Sequence, residues 1–179
     1  MPNASKAAGP FVYIIGKTFL GQTLAAASPR GVCMLAFADS RRELIEDVER
    51  RFPGAIPVAT RDPAMPRLQS ALKHVATPWT RATFPLDLQG TDFQKTVWRA
   101  LKRIPAGRTA SYLDIARTIG SPTASRAVAG ACGANPISIA IPCHRVVHRD
   151  GSISGYRWGV ERKRKLLALE SQRTARLAG

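Results

Sequence analysis

The triplet Cys143-His144-Arg145, which directly follows Pro142, is the part of the sequence best suited to nucleophilic chemistry. A cysteine attacks as its thiolate, a nearby cation lowers the pKa of a thiol, and an imidazole can accept the thiol proton. The triplet therefore could form a reactive centre. Side chains that are adjacent in sequence need not face one another, however, so the pair taken alone favours a structural cysteine over a catalytic one.

The cysteines give no sign of a disulfide framework or a metal site. The chain has 3 cysteines, no two of which form a CxxC pair. In a reducing compartment all are expected to be free thiols, with Cys33 in the core and Cys132 near the reactive centre or beneath a helix. A single cysteine and a single histidine before residue 90 argue against a zinc site there, and we predict neither a metal nor a cofactor.

Positive charge is concentrated in the second half of the chain. The net charge is +15: residues 1–90 contain 11 Lys and Arg against 7 Asp and Glu (+4), and residues 91–179 contain 16 against 5 (+11). A cationic surface attracts polyanions, and nucleic acid is the most common of these. Charge alone leaves a solubility effect or a membrane-surface patch open.

The first half of the chain predicts a small α+β domain, a β-sheet with helices, over residues 1–80. Short apolar segments separated by Gly, Lys, Pro or Arg predict strands within residues 11–38: FVYII, TLAAA and GVCMLAFA. Ser40 and Glu43 then form a capping box for a helix, and a second helix follows Asp62-Pro63. Residues 81–90 are predicted to be a connector.

The second half, residues 91–179, predicts a mainly α-helical domain. Asp92 is the expected cap of its first helix, and two further short helices meet at Gly120-Ser121-Pro122. Two short helices joined by a glycine-containing turn are typical of a helix-turn-helix, although many helical hairpins share this pattern.

A short strand is predicted just before the reactive cysteine. Ile137, Ile139 and Ile141 alternate with other residues and lead directly into Pro142-Cys143. Such alternation is typical of a half-buried strand. The chain then continues through a glycine-containing loop and closes with a basic helix.

The second helix of the predicted pair, TASRAVAGACG, consists almost entirely of small residues around Arg126. Small residues allow close packing against a neighbouring helix, which is the structural interpretation. The functional interpretation is a slim helix face that enters a narrow groove, with one long cation projecting from it. The minor groove of B-DNA, about 6 Å wide, would require such slimness.

The strings RAVAGACGANP and IPCHRVVHRDGSISGYRWG together closely resemble the active-site region of the O6-alkylguanine-DNA alkyltransferases. The similarity is greatest to the C-terminal half of the bacterial adaptive-response proteins of that family, and PCHRV is the family's signature. The similarity to the family is strong from Thr91 to Glu170 and weaker in the N-terminal half. The bacterial proteins also carry a four-cysteine zinc module, for which this chain lacks the cysteines.

This resemblance implies roles for four residues of the reactive centre. Cys143 is the expected alkyl acceptor, which becomes a stable thioether, so each molecule reacts once. His144 is the expected general base, acting through a bound water and oriented by Glu170. Tyr112 is the expected proton donor to the departing guanine. Taken singly, Tyr112 could be a packed ring with a satisfied hydroxyl, and Glu170 could pair with a basic neighbour on its own helix.

The resemblance also implies which residues engage the DNA and the base. Arg126 is expected to enter the duplex from the minor groove and replace a flipped nucleotide, with small residues facing the groove: Ala127, Ala129, Gly130 and Ala131. Asn135 is expected to act as the hinge between that helix and the active-site strand. The loop that contains Tyr156, Arg157 and Trp158 is expected to wall the base pocket. A phosphate contact for Arg126 and helix-end chemistry for Asn135 are the simpler alternatives.

The expected partner is double-stranded DNA containing alkylated guanine, with alkylated thymine as a further candidate. No membrane span or secretory signal is predicted, so we expect a cytoplasmic monomer that associates with the nucleoid when bound to DNA. Two other functions stay open: a DNA-binding damage sensor with an inert Cys143, and a hydrolase using Cys143 and His144. The presence of the cysteine counts against the sensor, and the basic groove-fitting helix counts against the hydrolase.

Overall fold

The computed structural model describes residues 10–178. The absence of a secretory signal was inferred from a segment that falls mostly outside these residues. The chain forms two compact units: the first holds the residues up to Thr77 together with Ala82–Gln89, and the second holds Pro78–Arg81 and the residues from Gly90 onward. Within the described part of the chain, no helix has the length and apolar character needed to cross a membrane.

The first unit is a four-stranded sheet with two helices. Its strands lie in the order β3-β2-β1-β4, in which β1 pairs antiparallel with β2, β2 antiparallel with β3, and β1 parallel with β4. The elements are β1 (Val12–Thr18), β2 (Gly21–Ser28), β3 (Gly31–Ala38), α1 (Arg41–Arg51), β4 (Ile56–Pro57) and α2 (Met65–His74).

Local sequence explains where these elements begin. Gly21 has a φ of 106°, a conformation that glycine adopts readily, and it opens β2 after the turn from β1. The Ser40 hydroxyl accepts the Glu43 backbone N–H at 3.2 Å and so caps α1 as predicted. Every residue of β3 is buried, Cys33 among them, which explains its continuous apolar sequence.

Most of the predicted connector, residues 81–90, is part of the first unit. The Val32 N–H donates to the Pro85 carbonyl at 2.8 Å, and the Asp87 N–H donates to the Val32 carbonyl at 2.8 Å. The buried Asp87 carboxylate in turn accepts the Ser28 hydroxyl at 2.6 Å. These bonds hold the segment against β3. They also give the buried backbone groups of Val32 the partners that such groups need. The domain boundaries drawn from the sequence stay predictions.

The second unit is mainly helical, with one small two-stranded sheet in which β5 and β6 run parallel. Its elements are α3 (Asp92–Leu101), β5 (Ala110–Ser111), α4 (Tyr112–Thr118), α5 (Ser125–Ala134), a 3-10 turn (Cys143–Arg145), β6 (Val146–Val147) and α6 (Val160–Ala178).

Helix α3 begins at Asp92, so its cap lies one residue before the predicted one, and the helix packs on α5. Thr91, rather than Asp92, is the N-cap, and it forms a capping box with Gln94. Trp98 is fully buried, and its indole N–H donates to the Ala131 carbonyl at 2.9 Å. A buried indole needs such an acceptor, so this bond links α3 to α5.

The strand predicted from Ile137, Ile139 and Ile141 is wrong: this segment is a tight turn. The Ile141 N–H donates back to the Ile137 carbonyl at 3.1 Å, and Ile139 has a φ of 66°, which is rare for a β-branched residue. All residues of the segment are buried, so the alternation of isoleucines does not mark one face of a strand.

Candidate active site

Asn135 joins the end of α5 to the Cys143 thiol. Its side-chain NH₂ donates to Cys143 Sγ at 3.2 Å and to the Ile141 carbonyl at 2.9 Å, while its side-chain oxygen accepts the Ile137 N–H at 2.9 Å. Asn135 is completely buried, so all these bonds are shielded from water. The amide therefore holds the tight turn closed and positions the thiol at its far end.

The Glu170 carboxylate receives hydrogen bonds from both residues that follow Cys143. His144 Nε2 lies 2.9 Å from Glu170 Oε1, and Arg145 donates to the two carboxylate oxygens at 2.7 and 2.9 Å. His144 and Glu170 have no exposed surface. Glu170 faces inward from α6 one turn after Leu166 and two turns after Lys163, both also buried.

Arg145 fixes this carboxylate to the rest of the second unit. Its guanidinium also donates to the Ile104 carbonyl at 2.6 Å and to the Pro78 carbonyl at 3.0 Å. The Gly107 N–H adds a further bond to Glu170 at 3.2 Å. A planar guanidinium offers several donors in fixed directions, which suits it to hold a buried carboxylate and two carbonyls together.

Burial and the neighbouring groups together set the protonation states of Cys143, His144 and Glu170. It raises the pKa of Cys143 to about 11, against the opposing bond from Asn135 and the charge of Lys163, so the resting group is a thiol. Burial lowers the pKa of His144, although Glu170 opposes this shift. For Glu170 burial acts to raise the pKa, but the bonds from His144 and Arg145 outweigh it and lower the pKa to about 2.

The segment contains a buried thiol and, as the next residue in the chain, a neutral imidazole. Because the Glu170 carboxylate can only accept, His144 carries its proton on Nε2 and presents the lone pair of Nδ1. That Nδ1 atom is buried and has no hydrogen-bond partner among the described residues. A thiol that must lose a proton and an imidazole that can accept one are the parts of an activated cysteine nucleophile.

A cavity of about 260 Å³ opens at Cys143. Aromatic rings and small residues line it, with one cation: Tyr112, Ala129, Cys132, Gly133, Cys143, Gly155, Tyr156 and Arg157. The Tyr112 hydroxyl donates to Ser154 Oγ at 2.7 Å, and the Tyr156 hydroxyl pairs with the Ser138 hydroxyl at 2.5 Å. The volume and the flat aromatic walls suit a planar ligand.

Of the three loop residues predicted to wall the base pocket, two line the cavity and one packs against them. Tyr156 and Arg157 line the cavity, whereas Trp158 is buried behind them. The ring of Trp158 meets that of Tyr156 edge-on at 5.2 Å, and the Arg157 guanidinium lies 5.9 Å from it. Trp158 therefore supports the wall from behind.

The residues predicted to face DNA lie on two sides of α5. Arg126, Ala127 and Gly130 are exposed, and Ala129 is half-buried at the cavity. Ala131 is buried towards α3, so its side chain is not part of the exposed face. A Cβ built on Gly130 meets no atom within 4 Å, which shows how open this face of the helix is.

Sequence reasoning overlooked two residues of the site, Ser154 and Lys163. Both are buried, and the Lys163 ammonium donates to Ser154 Oγ at 2.7 Å. A lysine at an inward position of α6 was the available signal, because lysine is rarely fully buried without a reason. Among the described residues, no group of three or more His, Cys, Asp or Glu side chains could hold a metal ion.

Fold and site together define a two-unit α+β protein with a buried cysteine thiol at a cavity. The sequence model described as the DNA-binding domain of 6-O-methylguanine DNA methyltransferase matches residues 92–172. The inducible methylated-DNA–protein-cysteine methyltransferase of Bacillus subtilis is 43% identical over 135 residues, which is 75% of each chain. The chain belongs to the methylated-DNA–protein-cysteine methyltransferase family.

Further relatives extend the similarity over most of the chain. The bifunctional transcriptional activator/DNA repair enzyme Ada of Escherichia coli is 44% identical over 92% of this chain and 46% of its own length. The chain thus spans about half the length of its Ada relatives. The crystal structure of Mycobacterium tuberculosis OGT in complex with DNA superposes with a TM-score of 0.74 at 36% identity, covering 90% of this chain and 94% of that one. The α+β prediction is confirmed.

Proposed function

We propose that this chain repairs DNA by moving a methyl or other alkyl group from O6 of guanine in a duplex to its own Cys143, once per molecule. The observation that carries the proposal is the buried Cys143 thiol that lines a cavity, followed in the chain by a neutral His144 that Glu170 holds in one tautomer. The relatives' names support it, since several are called methylated-DNA–protein-cysteine methyltransferases.

The reaction we propose is a single in-line displacement. His144 Nδ1 removes the Cys143 proton through a water, and the thiolate attacks the carbon bound to the guanine oxygen. The C–O bond breaks as the C–S bond forms, and its electron pair goes to the guanine. Tyr112, whose burial raises the pKa of its hydroxyl, delivers a proton to that guanine from the cavity wall. A thioether has no route back to the thiol, so the protein is consumed.

We further propose that α4 and α5 act as a helix-turn-helix within a DNA-binding domain spanning residues 91–179. An alkylated base cannot reach Cys143 while stacked in a duplex, so it must be extruded, at a cost of a few kcal/mol. The exposed Arg126 projects from a face of small residues, which fits insertion from the minor groove. The DNA-bound structure of the Mycobacterium tuberculosis relative supports duplex DNA as the partner.

The base itself would occupy the cavity lined by Tyr112, Tyr156 and Arg157, and Asn135 would hold the Cys143 thiol that faces it. The proposal includes larger alkyl groups and alkylated thymine as further substrates. We propose that a monomer acts on DNA in the cytoplasm. No step requires a metal or a cofactor.

The test is incubation with a duplex that contains one O6-methylguanine, followed by intact mass measurement and peptide mapping. We expect a gain of one methyl group, confined to the peptide that contains Cys143 and complete at one per protein. Cys132→Ser is the matched control, because it removes the other thiol of the cavity and should leave the yield unchanged. An unmodified Cys143 together with tight binding of the lesion would instead establish a damage sensor.

A further inference from the structure

Ser154 connects Tyr112 to a buried lysine. Its hydroxyl oxygen accepts the Tyr112 hydroxyl at 2.7 Å and the Lys163 ammonium at 2.7 Å, and the hydroxyl itself donates to the Val146 carbonyl at 3.1 Å. Ser154 is 3% exposed and Lys163 has no exposed surface. The three side chains therefore form one hydrogen-bonded chain that ends at the cavity wall.

The surroundings of Lys163 are unusual for an ammonium group. Its two hydrogen bonds go to uncharged oxygens, Ser154 Oγ and the Val146 carbonyl at 2.5 Å. Burial lowers the pKa of Lys163 below its ordinary value, although the nearby cysteines oppose this shift. Burying a cation among neutral acceptors is costly. A buried lysine at this position therefore does not contribute to the stability of the fold in an evident way.

The number of donors among Lys163, Ser154 and Tyr112 determines in which direction the hydrogen bonds between them can run. An ammonium can only donate, whereas each hydroxyl donates one proton and can also accept. The Val146 carbonyl also accepts a shorter hydrogen bond from Lys163. If the Ser154 hydroxyl turns away, this carbonyl therefore still has a donor. The next acceptor within reach of that proton is the Tyr112 oxygen, 2.7 Å away.

We propose that Ser154 is a positioning residue that turns the Tyr112 hydroxyl towards the base, with Lys163 setting the direction of the hydrogen-bonded chain. In the free protein Tyr112 donates to Ser154. When a guanine fills the cavity, Ser154 donates to Tyr112 and Tyr112 donates to the guanine. Two hydroxyl groups rotate and no covalent bond changes. The inference rests on the proposed alkyl transfer and on the role of Tyr112 within it.

A double-mutant cycle tests the coupling. The single-turnover rate of methyl transfer from an O6-methylguanine duplex is measured for the wild type, Ser154→Ala, Tyr112→Phe and the double variant. We expect Ser154→Ala to lower the rate about tenfold, the effect of losing one hydrogen bond. In the Tyr112→Phe background the same substitution should have no effect, because Ser154 then has no hydroxyl to orient.

Two further measurements separate positioning from a general disturbance of the site. Ser154→Thr keeps the hydroxyl and should retain a rate near that of the wild type. Labelling of Cys143 by iodoacetamide should proceed equally in the wild type and in Ser154→Ala, because His144 is untouched and the Val146 carbonyl still holds the Lys163 ammonium in place. A merely structural Ser154 would change both labelling and transfer. Should Ser154→Ala fail to fold, Ser154→Cys replaces it, since its thiol is a weak donor of similar size.

The outcomes distinguish this inference from the proposed function. If the wild type fails to methylate Cys143, the alkyl transfer itself is disproved. If the wild type transfers methyl but Ser154→Ala matches its rate, Ser154 does not position Tyr112. An equal loss from Ser154→Ala with and without Tyr112 would also overturn the inference, because the effect would not pass through the tyrosine hydroxyl.

Discussion

Glu170 and His144 form a hydrogen bond of 2.9 Å between two side chains that have no exposed surface. The carboxylate belongs to α6 and the imidazole to the turn at Cys143, so this bond couples α6 to the turn that holds the Cys143 thiol. Arg145 supplies the compensating charge, at 2.7 Å from the same carboxylate oxygen. The stability of the unit and the protonation of the base consequently depend on one carboxylate.

Removing the Glu170 charge should destabilise the protein strongly. Glu170→Gln leaves the buried Arg145 without its counter-charge, and breaking a buried pair typically costs about 3–5 kcal/mol. The matched control is Glu161→Gln on the same helix, whose ion pair with Arg164 is largely exposed and should contribute at most about 1 kcal/mol. Urea unfolding followed by circular dichroism measures both. Equal losses would refute the assignment of the buried network.

Stability should fall with acid in a way that depends on the same carboxylate. The pKa of Glu170 is lowered from 4.5 to about 2 in the folded protein, so its contribution is complete above pH 4.5 and is lost as the pH falls towards 2. His144 acts in the same direction, because its folded pKa lies below 6.5 and protonation favours the unfolded chain. Unfolding free energies at pH 7, 5 and 3 should decline more steeply for the wild type than for Glu170→Gln.

Methyl transfer should slow in acid as His144 becomes protonated. The rate is expected to be constant above pH 6.5, the ordinary pKa of histidine, and to fall below the lowered pKa of His144. Since Glu170 acts to raise that pKa, Glu170→Gln should move the fall to lower pH in whatever fraction remains folded. Single-turnover rates across pH 4.5–8 give the profile. A rate that continues to increase with pH through the neutral range would point to a base other than His144.

Cys143 should be the residue that is methylated, although its side chain is a thiol and not a thiolate before the reaction. Burial raises the pKa of Cys143 to about 11 and that of Cys132 to about 12, so neither ionises by itself at neutral pH. Cys143 has His144 as its sequence neighbour, and we expect His144→Gln to abolish transfer to it. Peptide mapping after exposure to the lesion checks this. Methyl on Cys132 in any variant would contradict the assignment.

Arg126 should matter for duplex DNA and not for the chemistry. Arg126→Ala is expected to lower the rate on an O6-methylguanine duplex by about 10- to 100-fold, because extruding a base costs a few kcal/mol. Its rate with the free base O6-methylguanine should equal that of the wild type. Arg99→Ala, which removes an exposed cation from α3, serves as the control for charge alone. If Arg99→Ala lowered the rate on duplex DNA by the same factor, Arg126 would contribute only through its positive charge.

Gly130 offers a test in which stability and function change in opposite directions. An added Cβ meets no atom within 4 Å, so Gly130→Ala should stabilise α5 by up to about 1 kcal/mol through helix propensity. The same methyl group thickens the exposed face, and we expect weaker binding to duplex DNA, with a larger loss for Gly130→Leu. Binding is measured in a Cys143→Ala background. Unchanged affinity for both variants would remove Gly130 from the interface.

The sequence predicted elements well where local rules decide them. Ser40 caps α1 as expected because its hydroxyl needs only the N–H of Glu43, three residues away. Residues 137–141 were mispredicted because a buried segment has no solvent-facing side to mark, and the side chain of Asn135 bonds both its ends. The bonds that place Pro85 and Asp87 beside β3 join residues far apart in sequence, and no periodicity records them.

The sequence by itself determined the family of this protein, because a cysteine followed by histidine lies in a string specific enough to indicate that family, within a strongly basic half-chain. The tertiary structure decided which partners those groups have. Glu170 lies 26 residues from His144, Arg145 reaches a carbonyl 67 residues away, and Ser154 meets Tyr112 across 42 residues. Such bonds form only when separate elements pack. The protonation states of these groups therefore depend on burial and on partners that residue order does not specify.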